Sequence, residues 1–137
     1  MNRLIFFMLV IAVYFRLNEI GVNEACKLNE IVFKNELGAG KRFEYQCHDG
    51  KTNSGVRYLN NNARSGIRFK DTGKQTSLWK CVLKHGVTKK YYHNIEAYLP
   101  IENNPRCGQL REYTARPDAI YFRKDNYPPV SLYNWRT

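Results

Sequence analysis

Between residues 42 and 48 the chain alternates strictly. Phe43, Tyr45 and Cys47 fall on one side, and Arg42, Glu44, Gln46 and His48 on the other. A period of two marks a strand with one buried face. Asp49-Gly50 then ends the strand, because glycine accepts positive φ and aspartate bonds its own backbone. The same reading along the chain predicts strands over 31–34, 42–48, 56–59, 66–70, 77–83, 91–99, 109–113, 119–123 and 131–135. In 66–70, Ile67 and Phe69 point in while Arg68 and Lys70 point out. In 77–83, Trp79, Cys81 and Leu83 share a face, and Leu78 and Val82 make the other face partly apolar, so this strand is expected to be central. Turn residues recur between these runs, and no amphipathic stretch has helical length. Many short, evenly spaced strands read as a sandwich or barrel. The expectation is an all-β protein: a small disulfide-stabilised antiparallel β-sandwich of seven to nine short strands.

The first residues belong to a different pattern. Arg3 is followed by an unbroken apolar run from Leu4 to Phe15. That run is well short of the roughly 20 residues a spanning helix needs, and it has the form of a secretory signal. Residues 1–25 are therefore expected to be a leader and residues 26–137 a single secreted domain, with no stable membrane insertion.

The four cysteines, Cys26, Cys47, Cys81 and Cys107, all follow the leader. An even count in a secreted chain reads as two disulfides, with three possible pairings. Zinc would need close pairs, and the spacings are 21, 34 and 26 residues. No metal or cofactor is expected. Closing loops of these lengths removes roughly 3–4 kcal/mol of unfolded-state entropy per bridge.

Net charge is +10. Residues 1–25 carry Arg3 and Arg16 against Glu19 and Glu24, so the remainder keeps the whole excess. Such charge favours acidic partners and also serves solubility. Nucleic acid is not expected as a partner. In the basic-aromatic strands the rings and the cations alternate onto opposite faces, and a secreted address argues against it. Catalysis is not expected either. His48, His85 and His93 are not brought together by any pattern, no GxSxG elbow is present, and bridged cysteines are not nucleophiles. The sharpest surface candidate is 84–90, where Lys84, His85, Lys89 and Lys90 flank an expected hairpin tip. Asp49, Lys51 and Asn53 in one polar loop, Arg64 in another and Lys74 in a third complete the candidate binding residues, since loops on a rigid sandwich carry recognition.

In order, the chain presents Asn35 with a glycine loop, Cys47-His48, Ser54-Gly55 leading into Val56-Arg57-Tyr58-Leu59, an Ile-Arg-Phe strand, Leu78-Trp79-Lys80-Cys81, Ala97-Tyr98, Asp118-Ala119-Ile120-Tyr121-Phe122 and a terminal Tyr133-Asn134-Trp135. This ordered set, over about residues 30–135, resembles the plant self-incompatibility S-protein family. It departs from that pattern at Gln46, Ser54, Leu110 and Ala119 and in having Cys26 upstream, which marks a diverged member. The resemblance implies a secreted β-sandwich that binds rather than catalyses. In the founding members that role is a stigma ligand, recognised by a pollen surface protein, that inhibits self pollen. The resemblance also implies a Cys47–Cys81 bridge, and with it Cys26–Cys107. The expected partner is a cell-surface receptor protein, with the chain acting as a monomer. The alternative is a cationic secreted defence protein acting on anionic surfaces.

Overall fold

One strand shows why this chain folds as two layers. In β1 (Asn29–Asn35), Ile31 and Phe33 are completely buried, and Asn29 and Asn35 bracket them on the same face. In a computed structural model, which describes residues 26–137, this strand is an interior strand, second in a five-stranded sheet of order β4-β1-β7-β8-β9. It pairs with β4 (Arg64–Phe69) on one side and β7 (Leu110–Ala115) on the other, and β8 (Ala119–Lys124) and β9 (Val130–Asn134) extend the sheet beyond β7. A four-stranded sheet of order β3-β2-β5-β6 packs against it, built from β2 (Phe43–His48), β3 (Arg57–Leu59), β5 (Trp79–His85) and β6 (Tyr91–Tyr98). The expected leader, residues 1–25, lies outside the described residues.

The core is the seam between the sheets. Phe33 stacks on Tyr45 of the facing sheet, ring centroids 4.3 Å apart, and lies 5.8 Å from Tyr113 of its own. Each fully buried side chain of this size contributes roughly 1.5–3 kcal/mol. β5 is interior to its sheet, with Trp79, Cys81, Leu83 and His85 turned inward.

The structure joins Cys47 to Cys81 and Cys26 to Cys107. Cys47 and Cys81 are partners in register across β2 and β5. The Cys47 N–H is taken by Ser54 Oγ, and its carbonyl accepts from the Ser54 N–H. Both backbone groups therefore point away from Cys81, leaving the pair at a non-hydrogen-bonded site, where facing side chains approach most closely. Cys26–Cys107 ties the segment before β1 to the segment before β7.

The two buried asparagines secure the ends of β1. Asn29 donates to the Arg106 carbonyl and accepts from the Gln109 N–H. Asn35 donates to the Lys41 and Leu59 carbonyls and accepts from the Leu37 N–H. These bonds satisfy the buried amide groups, and they extend the strand two residues earlier and one later than apolar alternation predicts.

Two details differ from the sequence pattern. The β1–β7 pair is parallel, with Glu30 opposite Leu110, while every other strand pair here is antiparallel. In β6, alternation places Tyr98 outward, yet it is nearly fully buried. The β5–β6 register shifts between Trp79 and Lys80, so Tyr98 faces Trp79 while Glu96 faces Lys80. The extra residue turns the end of the strand over.

Candidate recognition site

The 86–90 hairpin joins β5 to β6 and has an unusual backbone. Gly86, Thr88 and Lys89 have φ of 93°, 60° and 57°. Glycine is free to do this, but a Cβ at Gly86 would come within 3.0 Å of the Tyr91 ring. Thr88 is β-branched, and at positive φ it is a true outlier. The turn holds Val87 almost wholly in solvent, 87% exposed. Beside it, residues 37–41 form the loop that Asn35 fixes through Leu37 and Lys41. Between these two loops lies a cleft of about 340 Å³, lined by Gly40, Lys41, Arg42, His85, Gly86, Val87, Lys89 and Tyr91.

The cations around the cleft are braced on aromatic rings. The Arg42 guanidinium and the Lys89 ammonium each lie 5.0 Å from the centre of the Tyr58 ring, and Lys90 lies 5.6 Å from that of Tyr91. Lys89 also pairs with Glu44 at 3.3 Å. Among the described residues, Lys41 and Arg42 have no carboxylate within ion-pair distance.

Several expected site residues are placed differently. His85 is the last residue of β5 and is buried rather than at an exposed tip. Its ring stacks on Tyr91 and meets Trp135 edge-on at 4.3 Å. Burial, together with the charge of Lys41, pushes its pKa down to about 4, so the ring is neutral. Its Nε2 is buried with no hydrogen-bond partner among the described residues. Lys84 is also in β5, on the outer face of the sheet between Glu44 and Tyr92. The hairpin is simply tighter than 84–90, because strand pairing continues to His85–Tyr91. Arg64 opens β4 instead of lying in a loop, and it shares Glu112 with Arg123 at 3.3 and 3.2 Å. Lys89 and Lys90 are exposed at the hairpin as expected.

The remaining candidates lie at the other end of the sandwich. β2 runs from Phe43, opposite His85, to His48, opposite Lys80. Its six residues carry the chain roughly 17–20 Å away from the hairpin, at about 3.4 Å each. Asp49, Lys51 and Asn53 follow His48, and Lys74 precedes β5 at that same end. Asp49 accepts from the Lys51 and Thr52 N–H groups, and Asn53 from Gly55 N–H and Gln46. These two side chains shape their own loop. The candidate set therefore divides between two ends and does not make one site. His48 is likewise remote from His85, and His93 packs on Tyr133.

Sequence reasoning missed Lys41, Arg42 and Tyr58 at the cleft. The signal was present: two cations directly after the glycine loop, and an aromatic next to the register partner of Phe43. It also missed the cluster that closes the opposite end. Asp71 is buried and accepts from the Tyr98 hydroxyl at 2.5 Å and from the Gly73 and Arg106 N–H groups. Burial opposes its charge, but these bonds and the Arg106 cation outweigh it and hold the carboxyl below its ordinary value. Burial, with the bond to Asp71, raises Tyr98 to about 12.

Comparison with known proteins bears on this geometry. The family model described as plant self-incompatibility protein S1 matches residues 30–135, nearly everything the sandwich contains. The chain belongs to the plant self-incompatibility S1 family. S-protein homolog 15 of Arabidopsis thaliana is 47% identical over 137 residues, all of both chains, and S-protein homolog 14 of the same plant is 40% identical over 98% of this chain and 97% of its own. A solved structure of an SPH (self-incompatibility protein homologue), from a widespread family of small, highly stable, secreted plant proteins, superposes with a TM-score of 0.70 at 45% identity. It covers 82% of this chain and 97% of its own. As an S-protein homologue, then, the chain is a small secreted plant protein with a disulfide-bonded β fold.

Proposed function

We propose that this S-protein homologue is a secreted signalling ligand, recognised by a cell-surface protein through the sandwich end that carries the 86–90 hairpin. It acts by binding and not by catalysis. The observation that carries the reading is the hairpin itself. Thr88 and Lys89 are held at positive φ while Val87 and two lysines are presented to solvent. Strained backbone costs about 1–3 kcal/mol per residue, persists only where the surrounding structure enforces it, and clusters at sites that bind or switch. The rest of the molecule supplies a rigid platform for it.

The test is incubation of tagged, disulfide-bonded protein starting at Cys26 with plant cells, pollen included, against an equally basic unrelated protein. Saturable binding, competed by unlabelled protein, is expected. Binding no better than the control and abolished by moderate salt would replace this reading with that of a cationic defence protein acting on anionic surfaces. Within the same assay, replacing Lys84, Lys89 and Lys90 with Ser weakens binding and leaves the urea midpoint nearly unchanged. In the Lys89–Glu44 pair Lys89 is exposed and Glu44 half-buried, and pairs that reach solvent in this way contribute about 0–1 kcal/mol. Unchanged affinity would remove the hairpin from the reading.

A further inference from the structure

The cleft beneath the hairpin has the parts of a carboxylate site. Lys41, Arg42 and Lys89 line it, and only Lys89 has a carboxylate partner among the described residues. A carboxylate accepts hydrogen bonds at about four lone-pair positions, so a site for it needs convergent donors and uncompensated positive charge. His85 in the cleft lining adds a second and independent observation. It is only 7% exposed and its Nε2 has no partner among the described residues, and a buried polar atom left unpaired is destabilising. A neutral imidazole brings hydrogen-bonding capacity without adding to the repulsion among the surrounding cations.

We infer that this cleft receives an Asp or Glu side chain from an acidic segment of the receptor protein, with an apolar neighbour of that residue packing on Val87. The inference rests on the receptor reading above. Charge complementarity selects the acid. The choice of a peptide over a uronate polymer rests on two features. Val87 stands at the cleft edge as an exposed apolar tip that the hairpin backbone fixes in place, and a polymer charged on every sugar offers it no apolar side chain. The ring of Tyr58 is already engaged by Arg42 and Lys89, and that of Tyr91 by His85 and Lys90, so a sugar stacking on either ring would compete with these contacts.

The experiment is a backbone-amide NMR titration of the protein from Cys26 onward. Three probes are used at one ionic strength: acetyl-Leu-Glu-Leu-amide, its Gln counterpart, and trigalacturonate. The Glu peptide should shift the amides of Gly40, Lys41, Arg42 and residues 86–91 saturably, with the Gln peptide much weaker. Lys41→Ser with Arg42→Ser should cut its affinity about tenfold, as loss of charge-assisted bonds implies, at an unchanged melting temperature. Both positions are exposed, so that variant keeps the fold. Equal response to the Gln peptide, shifts spread over the basic strand faces, or tighter saturable binding of trigalacturonate at the same amides would each overturn the inference. Cell-surface binding that persists without any peptide response discards this cleft and keeps the receptor reading. Loss of both discards both.

Discussion

His85 shows how far a single residue can depart from its sequence appearance. A histidine next to Gly86 and a run of lysines looks like a loop side chain, yet one further pair of the β5–β6 ladder, His85 with Tyr91, turns it into the core. The consequence is measurable. Unfolded, the imidazole titrates near 6.5, and folded it titrates near 4. Between these values the unfolded state binds a proton that the native state refuses, so stability is complete above about pH 6.5 and falls as pH drops toward 4. The loss approaches about 3 kcal/mol at most, from about 1.4 kcal/mol per unit of pKa. Urea midpoints between pH 7.5 and 4 should decline in the wild type and stay much flatter in His85→Phe. Asp71 works in a lower range. Its carboxyl lies below the ordinary value of 3.8, so its contribution is present above that value and fades as pH falls through the folded pKa. Asp71→Ala leaves the Tyr98 hydroxyl and the Arg106 backbone unpaired in a buried place and should cost about 3 kcal/mol at neutral pH. A destabilisation, read by urea unfolding, of under a fifth of that size would mean that water replaces the carboxylate freely. Asp71 was legible only as a turn residue, because nothing local to Asp-Thr-Gly says that the turn folds over Tyr98.

At the scale of elements, strands were the most legible part of the sequence. Alternation is a local consequence of having one wet face and one dry face, so Phe43, Tyr45 and Cys47 could be placed inward without any knowledge of the partner sheet. Parallel and antiparallel pairing leave the same alternation, so the β1–β7 pairing was not legible. Nor was the shift that buries Tyr98, because a bulge depends on the register of two strands together. The two bridges differ in setting. Cys47 and Cys81 are buried in the seam, whereas Cys26 is exposed and Cys107 half-buried. Mild reductant at neutral pH should therefore open Cys26–Cys107 first, with Cys47–Cys81 yielding only on unfolding. Mass spectrometry of alkylated, partly reduced protein reads this directly, and early alkylation of Cys47 would contradict it. Loop-closure entropy is similar for both, about 4 kcal/mol. Replacing Cys47 and Cys81 with Ala should nonetheless destabilise more, because it also empties core volume.

The molecule as a whole is closed at its corner by the last few residues. Arg136 exchanges backbone hydrogen bonds with Tyr92, so the chain passes from the five-stranded sheet to the edge of the four-stranded one. Trp135 on that path packs on Phe43 and His85 and donates its indole N–H to the Arg116 carbonyl. Ending the chain after Asn134 should cost about 3 kcal/mol, in the range for removing a packed aromatic, and should return the His85 pKa toward 6.5. Calorimetry and histidine NMR titration test the two effects separately. An unmoved His85 would show that Tyr91 and the strand suffice to shield it. The division of the candidate residues between opposite ends also belongs to this scale. Lys51 and Lys90 look alike along the sequence, and only the direction of β2 separates them.

The pairing of β1 with β7 has a consequence for how the chain is made. As the chain emerges, β1 has one neighbour, β4, after about 40 residues, while its other edge must wait for β7, some 80 residues on. Until then an apolar strand has a bare edge, the condition under which chains pair wrongly with one another. Contacts so distant in sequence are also slow to form, since loop closure comes before any reward. The Cys26–Cys107 bond stands just ahead of both strands. Once formed, it turns the search for a distant partner into the docking of two neighbours already aligned in the same direction. An oxidising compartment would therefore serve this protein first as the place where its longest-range pairing is guided, and only afterwards as the place where its stability is maintained.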